Sequence, residues 1–282
     1  MKLLRVGPAG QEKPAIMDSN GVIRDLSGVV SDINGDTLSA TSLDKLAKLD
    51  TTSLPEISGD ERIGSCVAEI GKYVCIGLNY AEHVKESGSE MPDEPVVFNK
   101  WISAVCGPND DIIKPRNSIK MDWEVELGIV IGEECRYVSE ADAEKHIAGY
   151  CVINDVSERH FQLERNGQWD KGKGCDTFGP TGPWMVTKDE AGDVNNLGIW
   201  LEVNGKRFQD SNTKYMIFNP AYLVSYLSQF MSLQAGDVIA TGTPSGVGLG
   251  QTPQVFLNVG DTMRVGIDGL GEQNQTVVVC PE

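Results

Sequence analysis

The chain has 282 residues, 40% of them apolar, so it is long enough for one large domain or for a large domain with a small one. Its formal net charge is -17 and its basic residues form no cluster, which excludes nucleic acid and anionic membrane surfaces as expected partners. The sequence shows neither an apolar run of membrane-spanning length nor the apolar core of a signal peptide, so we expect a cytoplasmic protein.

The first part of the chain differs in pattern from the rest and predicts a small N-terminal β-rich domain over residues 1–70. Its predicted elements are three short strands and one helix, at 3–6, 15–17, 22–26 and 43–49. Asn20-Gly21 is a hairpin signal between the last two strands. We therefore expect a second, larger domain over residues 71–282.

A short helix is predicted after a buried strand that ends at Gly77, beginning near Asn79 and stopping at Gly88. His83 and Glu86 are three residues apart, so the helix places them on one face. A carboxylate there orients the imidazole and favours its protonated form, which is the arrangement that a general base needs. A surface helix whose histidine meets a glutamate by chance is the alternative reading of the pair.

The stretch 122–131 predicts a strand because Trp, Val, Leu and Ile dominate it. Successive side chains of a strand face opposite ways, so Glu124 and Glu126 share a face. Asp155 follows the next predicted helix, and we expect the three carboxylates to converge. Like charges buried together are unfavourable unless a cation lies between them. Oxygen ligands without Cys or clustered His favour Mg²⁺, Mn²⁺ or Ca²⁺ over Zn²⁺. The alternative without a metal is a strand whose acidic face is exposed to solvent.

The second half of the chain predicts many strands punctuated by Gly and Pro, with few helices. Ser139 opens a helix that we expect to run to Ile147. Strands at 199–203 and 206–208 are joined by an Asn-Gly hairpin signal. A last helix is predicted from Pro220, with an apolar face formed by four residues: Leu223, Val224, Leu227 and Phe230.

A glycine-rich loop over 241–248 follows a predicted strand, and its backbone N–H groups form either a nest for a carboxylate or simply a tight turn. Its spacing is not GxGxxG, which argues against a dinucleotide site. The sequence also lacks GxxxxGK[ST], HExxH and GxSxG, so the common signals of phosphate loops, zinc proteases and serine hydrolases are absent.

Five motifs occur in order along the chain: GxNYxxHxxE, the ExE strand, DvSxRxxQ, KxxDTFGPxGPW and TGTPxGvG. This series resembles the fumarylacetoacetate hydrolase family, from about Tyr73 to the end of the chain. The resemblance implies a mixed α/β, β-rich fold, a mixed β-sandwich roll with the small N-terminal domain, and a homodimer.

The resemblance also assigns roles to the residues that match the motifs. It implies a divalent metal, Mg²⁺ or Mn²⁺, bound by Glu124, Glu126 and Asp155. It implies a catalytic set of His83, Glu86 and Lys173. The substrate-binding residues are expected to be Tyr80, Arg159, Gln162 and Thr243.

The run from Gln168 to Asp176 most resembles the bacterial subgroup that acts on 2,4-diketo-3-deoxy sugar acids, some members of which carry a ureidoglycolate lyase label. The chain departs from the commonest family pattern at His160, where many members have Asp, and at Gly174-Cys175, where many have Ser-Phe. These departures make the substrate the least determined part of the interpretation.

The expected reaction is hydrolytic cleavage of a carbon-carbon bond in a 2,4-diketo-3-deoxy sugar acid, such as the rhamnonate or fuconate derivative, to pyruvate and a hydroxy acid such as lactate. An anionic small substrate needs local positive charge in so acidic a protein, and a bound metal with Arg159 and Lys173 supplies it. The alternatives are an acylpyruvate hydrolase, an oxaloacetate decarboxylase, a ureidoglycolate lyase-like enzyme, an isomerase on the same scaffold, and a metal-binding protein without activity.

The polar segment 82–94 is predicted to be a lid that orders when substrate binds, because it has little apolar surface to anchor it. The hydroxyl groups of a sugar acid also need hydrogen-bonding partners. We expect these from the lid and the neighbouring loops, namely Ser87, Ser89, Glu90, Gln168 and Asp170.

Overall fold

The computed structural model describes residues 1–281. The strands are β1 (Lys2–Val6), β2 (Lys13–Met17), β3 (Ile23–Asp25), β4 (Tyr73–Gly77), β5 (Val96–Asn99), β6 (Val105–Cys106), β7 (Ile112–Lys114), β8 (Met121–Asp122), β9 (Val125–Ile131), β10 (Ile147–Asn154), β11 (Ser157–Glu158), β12 (Gly179–Thr187), β13 (Gly198–Val203), β14 (Lys206–Asn212), β15 (Val238–Ala240), β16 (Thr262–Ile267) and β17 (Gly271–Val279). The helices are α1 (Gly35–Leu38), α2 (Ala40–Leu46), α3 (Ala81–Ser87), α4 (Glu140–Ala143), α5 (Arg159–Leu163), α6 (Asp170–Lys173) and α7 (Pro220–Leu227).

The strands form two main sheets. A ten-stranded sheet has the order β3-β2-β1-β12-β10-β9-β15-β4-β5, with β6 beside β12. A five-stranded sheet has the order β14-β13-β16-β17-β7, and β8 and β11 form a separate short pair. Most neighbours are antiparallel, but β15 runs parallel to β4, β6 to β12 and β7 to β17. The mixed, β-rich α/β fold expected from the sequence is confirmed.

The central strand β9 separates two apolar cores because its side chains alternate between the faces of the large sheet. Leu127 and Ile129 pack into a core shared with the five-stranded sheet, for example with Val265. Val130 faces the other way, into a second core with Leu38 of α1. All seven residues of β9 are buried, so the strand forms the rigid centre of the molecule.

The three N-terminal strands continue the large sheet. β1 pairs antiparallel with β12, with Leu3 opposite Met185. The predicted helix at 43–49 lies slightly earlier, as α2. A domain boundary near residue 70 stays a prediction.

Several predicted element boundaries were wrong. The strand expected over 122–131 is split, because Asp122 belongs to β8 and pairs with Ser157 of β11, while β9 begins at Val125. The helix expected from Ser139 to Ile147 ends early, in a short 3-10 turn over 144–146. Ile147 instead begins β10, where pairing with β9 overrides local helix propensity.

The last helix, α7, has three of its four predicted apolar positions buried. Phe230 lies beyond its end and is 65% exposed, so it is not part of the buried face. Helix α3 ends as predicted at Gly88, whose φ of 69° is the left-handed conformation that glycine favours. No helix within residues 1–281 has the length and apolarity needed to cross a membrane.

Candidate active site

Strand alternation and pairing bring three carboxylates together where the central strand β9 begins and its neighbour β10 ends. Glu126 lies on the face of β9 that carries Val130, and it is paired with Ile153 of β10. Asp155 follows two residues after Ile153, and its N–H donates to the carbonyl oxygen of Glu124 at 2.8 Å. One oxygen from each of Glu124, Glu126 and Asp155 lies within 4.8 Å of the others. The structure therefore places the three carboxylates as the sequence predicted.

Two of the three carboxylates have cationic partners. Lys173 Nζ donates to Glu124 at 2.5 Å and to Asp155 at 2.9 Å, and Arg159 Nη2 donates to Glu124 at 2.6 Å. Burial alone would raise the pKa of Glu124, but the charges of Lys173 and Arg159 outweigh it and hold the pKa well below its usual range. Burial would likewise lower the pKa of Lys173, yet Asp155 and Glu124 raise it. Lys173 is therefore a cation in the site.

Glu126 is different, since within residues 1–281 it forms no ion pair and accepts the N–H of Gly242 at 2.8 Å. Burial, together with Asp155 and Glu124, raises the pKa of Glu126 well above its ordinary value. Asp155 Oδ1 lies 2.5 Å from Lys100 Nζ, but it accepts no hydrogen bond among the described residues. A cation beside Glu126 would stabilise its charged form, so the all-oxygen triad fits a hard divalent metal ion.

His83 and Glu86 lie one turn apart on α3. His83 Nδ1 is 3.2 Å from Glu86 Oε2, and Glu86 also accepts the N–H of Gly246 at 2.9 Å. The imidazole lines the same cavity as Glu124 and Glu126. An imidazole oriented by a carboxylate therefore shares a cavity with two carboxylates of the triad, which a chance surface pair would not do.

The glycine-rich loop 241–248 organises the site through its backbone. Besides Gly242, the N–H groups of Gly246 and Gly248 donate to Glu86 at 2.9 Å and to Asp122 at 2.6 Å. Gly242 has a φ of 98°, and a Cβ there would lie 2.7 Å from a neighbouring side-chain carbon, so only glycine fits. These three N–H groups of the predicted nest hold the protein's own carboxylates.

The predicted substrate-binding residues fall into two groups. Arg159, Gln162 and Thr243 line the cavity, and Arg159 Nη1 donates to Gln162 Oε1 at 3.1 Å. Tyr80 is buried and its hydroxyl has no hydrogen-bond partner within the described chain. The residues that line the cavity in the described part of the chain do not include it, so its substrate-binding role stays a prediction that this geometry does not support.

Two buried charged residues that the sequence reasoning missed complete the site. Asp122 accepts a hydrogen bond from Arg159 Nε at 2.8 Å. Lys100 Nζ lies 2.5 Å from both Asp155 Oδ1 and the carbonyl oxygen of Lys173. Lys100 directly follows strand β5, and a single lysine at the end of a strand is expected to be exposed. In the structure Lys100 is buried. Its contacts with Asp155 and Lys173 can be identified only in the folded structure.

The polar residues expected to bind substrate hydroxyl groups also divide. Ser87 and Ser89 line the cavity. Glu90, Gln168 and Asp170 are not among the described residues that line it. Gln168 Nε2 donates instead to Asp170 Oδ2 at 2.9 Å. The cavity therefore offers fewer hydroxyl partners than the sequence suggested.

A family model, fumarylacetoacetate (FAA) hydrolase C-terminal, matches residues 72–278 of the chain. The chain belongs to the fumarylacetoacetate hydrolase family. A relative from Burkholderia ambifaria is 60% identical over 277 residues, covering 98% of both chains, and is named only provisionally, as a hydrolase. Members of the family are enzymes, either hydrolases or isomerases.

Solved structures of the family share the fold over the whole chain. The fumarylacetoacetate hydrolase of Exiguobacterium antarcticum is 33% identical with a TM-score of 0.86, over 99% of this chain and 100% of that one. A 2-hydroxyhepta-2,4-diene-1,7-dioate isomerase from Mycobacterium marinum is 33% identical with a TM-score of 0.79, over 100% of both chains. The maleylpyruvate hydrolase of Sphingobium sp. SYK-6, solved with manganese(II) and pyruvate, is 27% identical with a TM-score of 0.83, over 100% of both.

Proposed function

We propose that this protein is a metal-dependent hydrolase that cleaves the carbon-carbon bond of a 2,4-diketo-3-deoxy sugar acid, such as the rhamnonate or fuconate derivative. The products are pyruvate and a hydroxy acid such as lactate. The observation that carries the proposal is one cavity in which the His83–Glu86 pair faces Glu124 and Glu126. A related hydrolase solved with manganese(II) and pyruvate supports the choice of metal class and product.

Glu124, Glu126 and Asp155 would hold the metal, Mg²⁺ or Mn²⁺, which supplies positive charge for the carboxylate and 2-oxo oxygens of the substrate. Arg159, Gln162 and Thr243 line the cavity and bind and orient the anionic end of the substrate. Arg159 is held by Asp122 and Glu124, so its guanidinium is fixed before substrate arrives.

His83 removes a proton from water. Its Nδ1 is engaged by Glu86, which leaves Nε2 as the nitrogen that accepts the proton. The hydroxide attacks the C4 carbonyl, and the bond between C3 and C4 then breaks with its electrons left on C3 as an enolate. The Lys173 ammonium stabilises that charge, and the proton that His83 took from water is returned to C3, which gives pyruvate and leaves His83 neutral.

The experiment is a substrate panel with pyruvate detection. It compares 2,4-diketo-3-deoxy sugar acids, acetylpyruvate, oxaloacetate and ureidoglycolate on the same metal-loaded protein. We expect the sugar acid to give the highest kcat/KM, above acetylpyruvate by at least about 100-fold, because acetylpyruvate lacks the hydroxyl group beside the C4 carbonyl and so leaves the cavity hydroxyl groups of Ser87 and Ser89 without that partner. Comparable values for the two, or faster oxaloacetate decarboxylation, contradict the sugar-acid assignment.

An isomerase is the second candidate, favoured by the likeness to the Mycobacterium marinum isomerase. The same base and cation can move a proton next to a carbonyl without breaking the carbon-carbon bond. Deuterium uptake at C3 in heavy water without release of pyruvate would identify this activity.

We also propose that the enzyme acts in the cytoplasm as a homodimer. The seven cysteines are all free and form no CxxC pair, which suits a reducing compartment. Light scattering during size-exclusion chromatography measures the oligomer directly, and a mass of about one chain contradicts the dimer.

A further inference from the structure

One side of the cavity is aromatic. Phe98 and Trp169 line it together, with ring centroids 5.4 Å apart and ring planes at 64°. Lys173 Nζ lies 5.1 Å from the centroid of Phe98, and the same nitrogen contacts Glu124 and Asp155. The aromatic pair, which we call the aromatic wall, therefore begins directly beside the reacting centre.

The absence of a side chain at Gly77 leaves room for the ring of Trp169. A Cβ added at Gly77 would lie 2.6 Å from Cζ3 of Trp169, which is too close for any other residue unless the ring moves. Trp169 directly precedes α6, and its carbonyl oxygen accepts the N–H of Lys173 at 3.1 Å. Trp169 and the catalytic lysine therefore lie on the same helical turn.

Three more apolar side chains line the cavity together with the aromatic wall: Leu163, Val247 and Leu249. The cavity hydroxyl groups belong to Thr243, Ser87 and Ser89. Thr243 Oγ1 and Ser87 Oγ already donate to backbone carbonyl oxygens, at 2.9 Å and 3.0 Å. A substrate group that reaches this region finds apolar surface and few hydrogen-bonding partners.

We propose that the aromatic wall selects substrates whose acyl group ends in an apolar carbon, such as a methyl group, over those that end in a hydroxymethyl group or a carboxylate. The inference deepens the proposed function and rests on it for the identity of the first carbons of the substrate. A terminal hydroxyl group against the aromatic wall would lose its water without gaining a partner. A terminal methyl group would gain the free energy of apolar burial.

The test is a binding series that does not depend on turnover. Calorimetry on the Mg²⁺-loaded protein measures Kd for 2-oxobutanoate, 2-oxopentanoate and 2-oxohexanoate, which lack the C4 carbonyl and cannot be cleaved. We expect Kd to fall about fourfold for each added methylene group. 6-Hydroxy-2-oxohexanoate and 2-oxoadipate should each bind at least about tenfold more weakly than 2-oxohexanoate.

Three variants test whether Trp169 causes the dependence of Kd on chain length. Trp169→Ala should make Kd nearly independent of chain length, and Gly77→Ala should weaken the longest acid most because it displaces the indole ring. Val97→Ala is the matched control, since Val97 is on the same strand as Phe98 but exposed, and it should keep the wild-type series.

The outcomes separate this inference from the proposed function. A flat series in the wild-type protein, or tighter binding of the hydroxylated acid, overturns the aromatic wall even if pyruvate is released from the sugar acid. A graded series without any pyruvate release supports the aromatic wall and contradicts the proposed hydrolase. An equal loss in Val97→Ala and Trp169→Ala also overturns it.

Discussion

Glu86 Oε2 lies 3.2 Å from His83 Nδ1, and the same carboxylate is fixed by the backbone N–H of Gly246 in the glycine-rich loop. The loop also holds Glu126 through Gly242. One loop therefore sets the position of both the base and a carboxylate of the triad.

Glu86→Gln should lower kcat by roughly tenfold to 100-fold while the Kd for Mn²⁺ stays unchanged. Glutamine keeps an acceptor for Gly246 but removes the charge that favours the imidazolium. Metal titration and steady-state kinetics measure the two quantities separately. Glu82→Gln on the exposed side of α3 is the control and should behave as wild type. Equal loss of metal in Glu86→Gln and Glu126→Gln would show that the roles are not separate.

The two glutamates of the triad should respond differently to amidation. Glu126→Gln should weaken the Kd for metal by at least about 100-fold and leave the metal-free protein as stable as wild type, because burial and the neighbouring carboxylates raise the pKa of Glu126 and make its charged form unfavourable there. Glu124→Gln should weaken metal binding strongly too, but it also removes one of the two carboxylate partners of Lys173 and of Arg159. We expect a loss of about 3–5 kcal/mol in the free energy of unfolding. Urea denaturation without metal distinguishes the two, and equal stabilities contradict the charge assignment.

Lys100→Met should destabilise the metal-free protein by about 3–5 kcal/mol, because it leaves Asp155 buried without its nearest cation. Saturating Mn²⁺ should stabilise this variant more than it stabilises wild type, since the metal replaces part of the lost charge. Denaturation curves with and without Mn²⁺ give both values. Lys72→Met, which removes an ion pair distant in sequence from the triad, is the control for loss of a lysine. An identical metal effect in all three proteins would refute the role of Lys100.

Residues 82–94 are expected to gain protection from hydrogen exchange when oxalate or pyruvate binds in the presence of metal. The segment after Gly88 is largely exposed, although Tyr226 donates a hydrogen bond to Glu94 at 2.9 Å. Mass spectrometry of exchange with and without the ligand measures this directly. Equal protection in both states counts against a lid.

The sequence predicted the parts of the site that depend on local periodicity. Alternation along a strand was enough to pair Glu124 with Glu126, and helical spacing was enough to pair His83 with Glu86. The charge state of Glu124 was not predictable, because the cations that lower its pKa come from elements 35 and 49 residues away in sequence. Such partners are set by sheet order, which a single sequence does not specify.

The fold, like the site, could be predicted from the sequence only in part. The motifs indicated the β-rich family fold, but the pairing of β1 with β12 joins residues more than 180 positions apart, and no local pattern marks it. Ile147 was misassigned to a helix because its partner Ile131 lies on another strand. The polar residues Gln168 and Asp170 were assigned to the substrate because their bond to each other was not visible in the sequence.

Pyruvate release from a methyl-ended 2,4-diketo-3-deoxy sugar acid, measured before and after metal removal, decides whether the enzyme needs a divalent metal. The protein is treated exhaustively with EDTA, its metal content is measured, and Mg²⁺ or Mn²⁺ is then added back. We predict no pyruvate release from the metal-free protein and full recovery at about one ion per chain, because the converging carboxylates cannot hold the substrate oxyanions alone. Undiminished pyruvate release from protein shown to contain no metal would contradict the account.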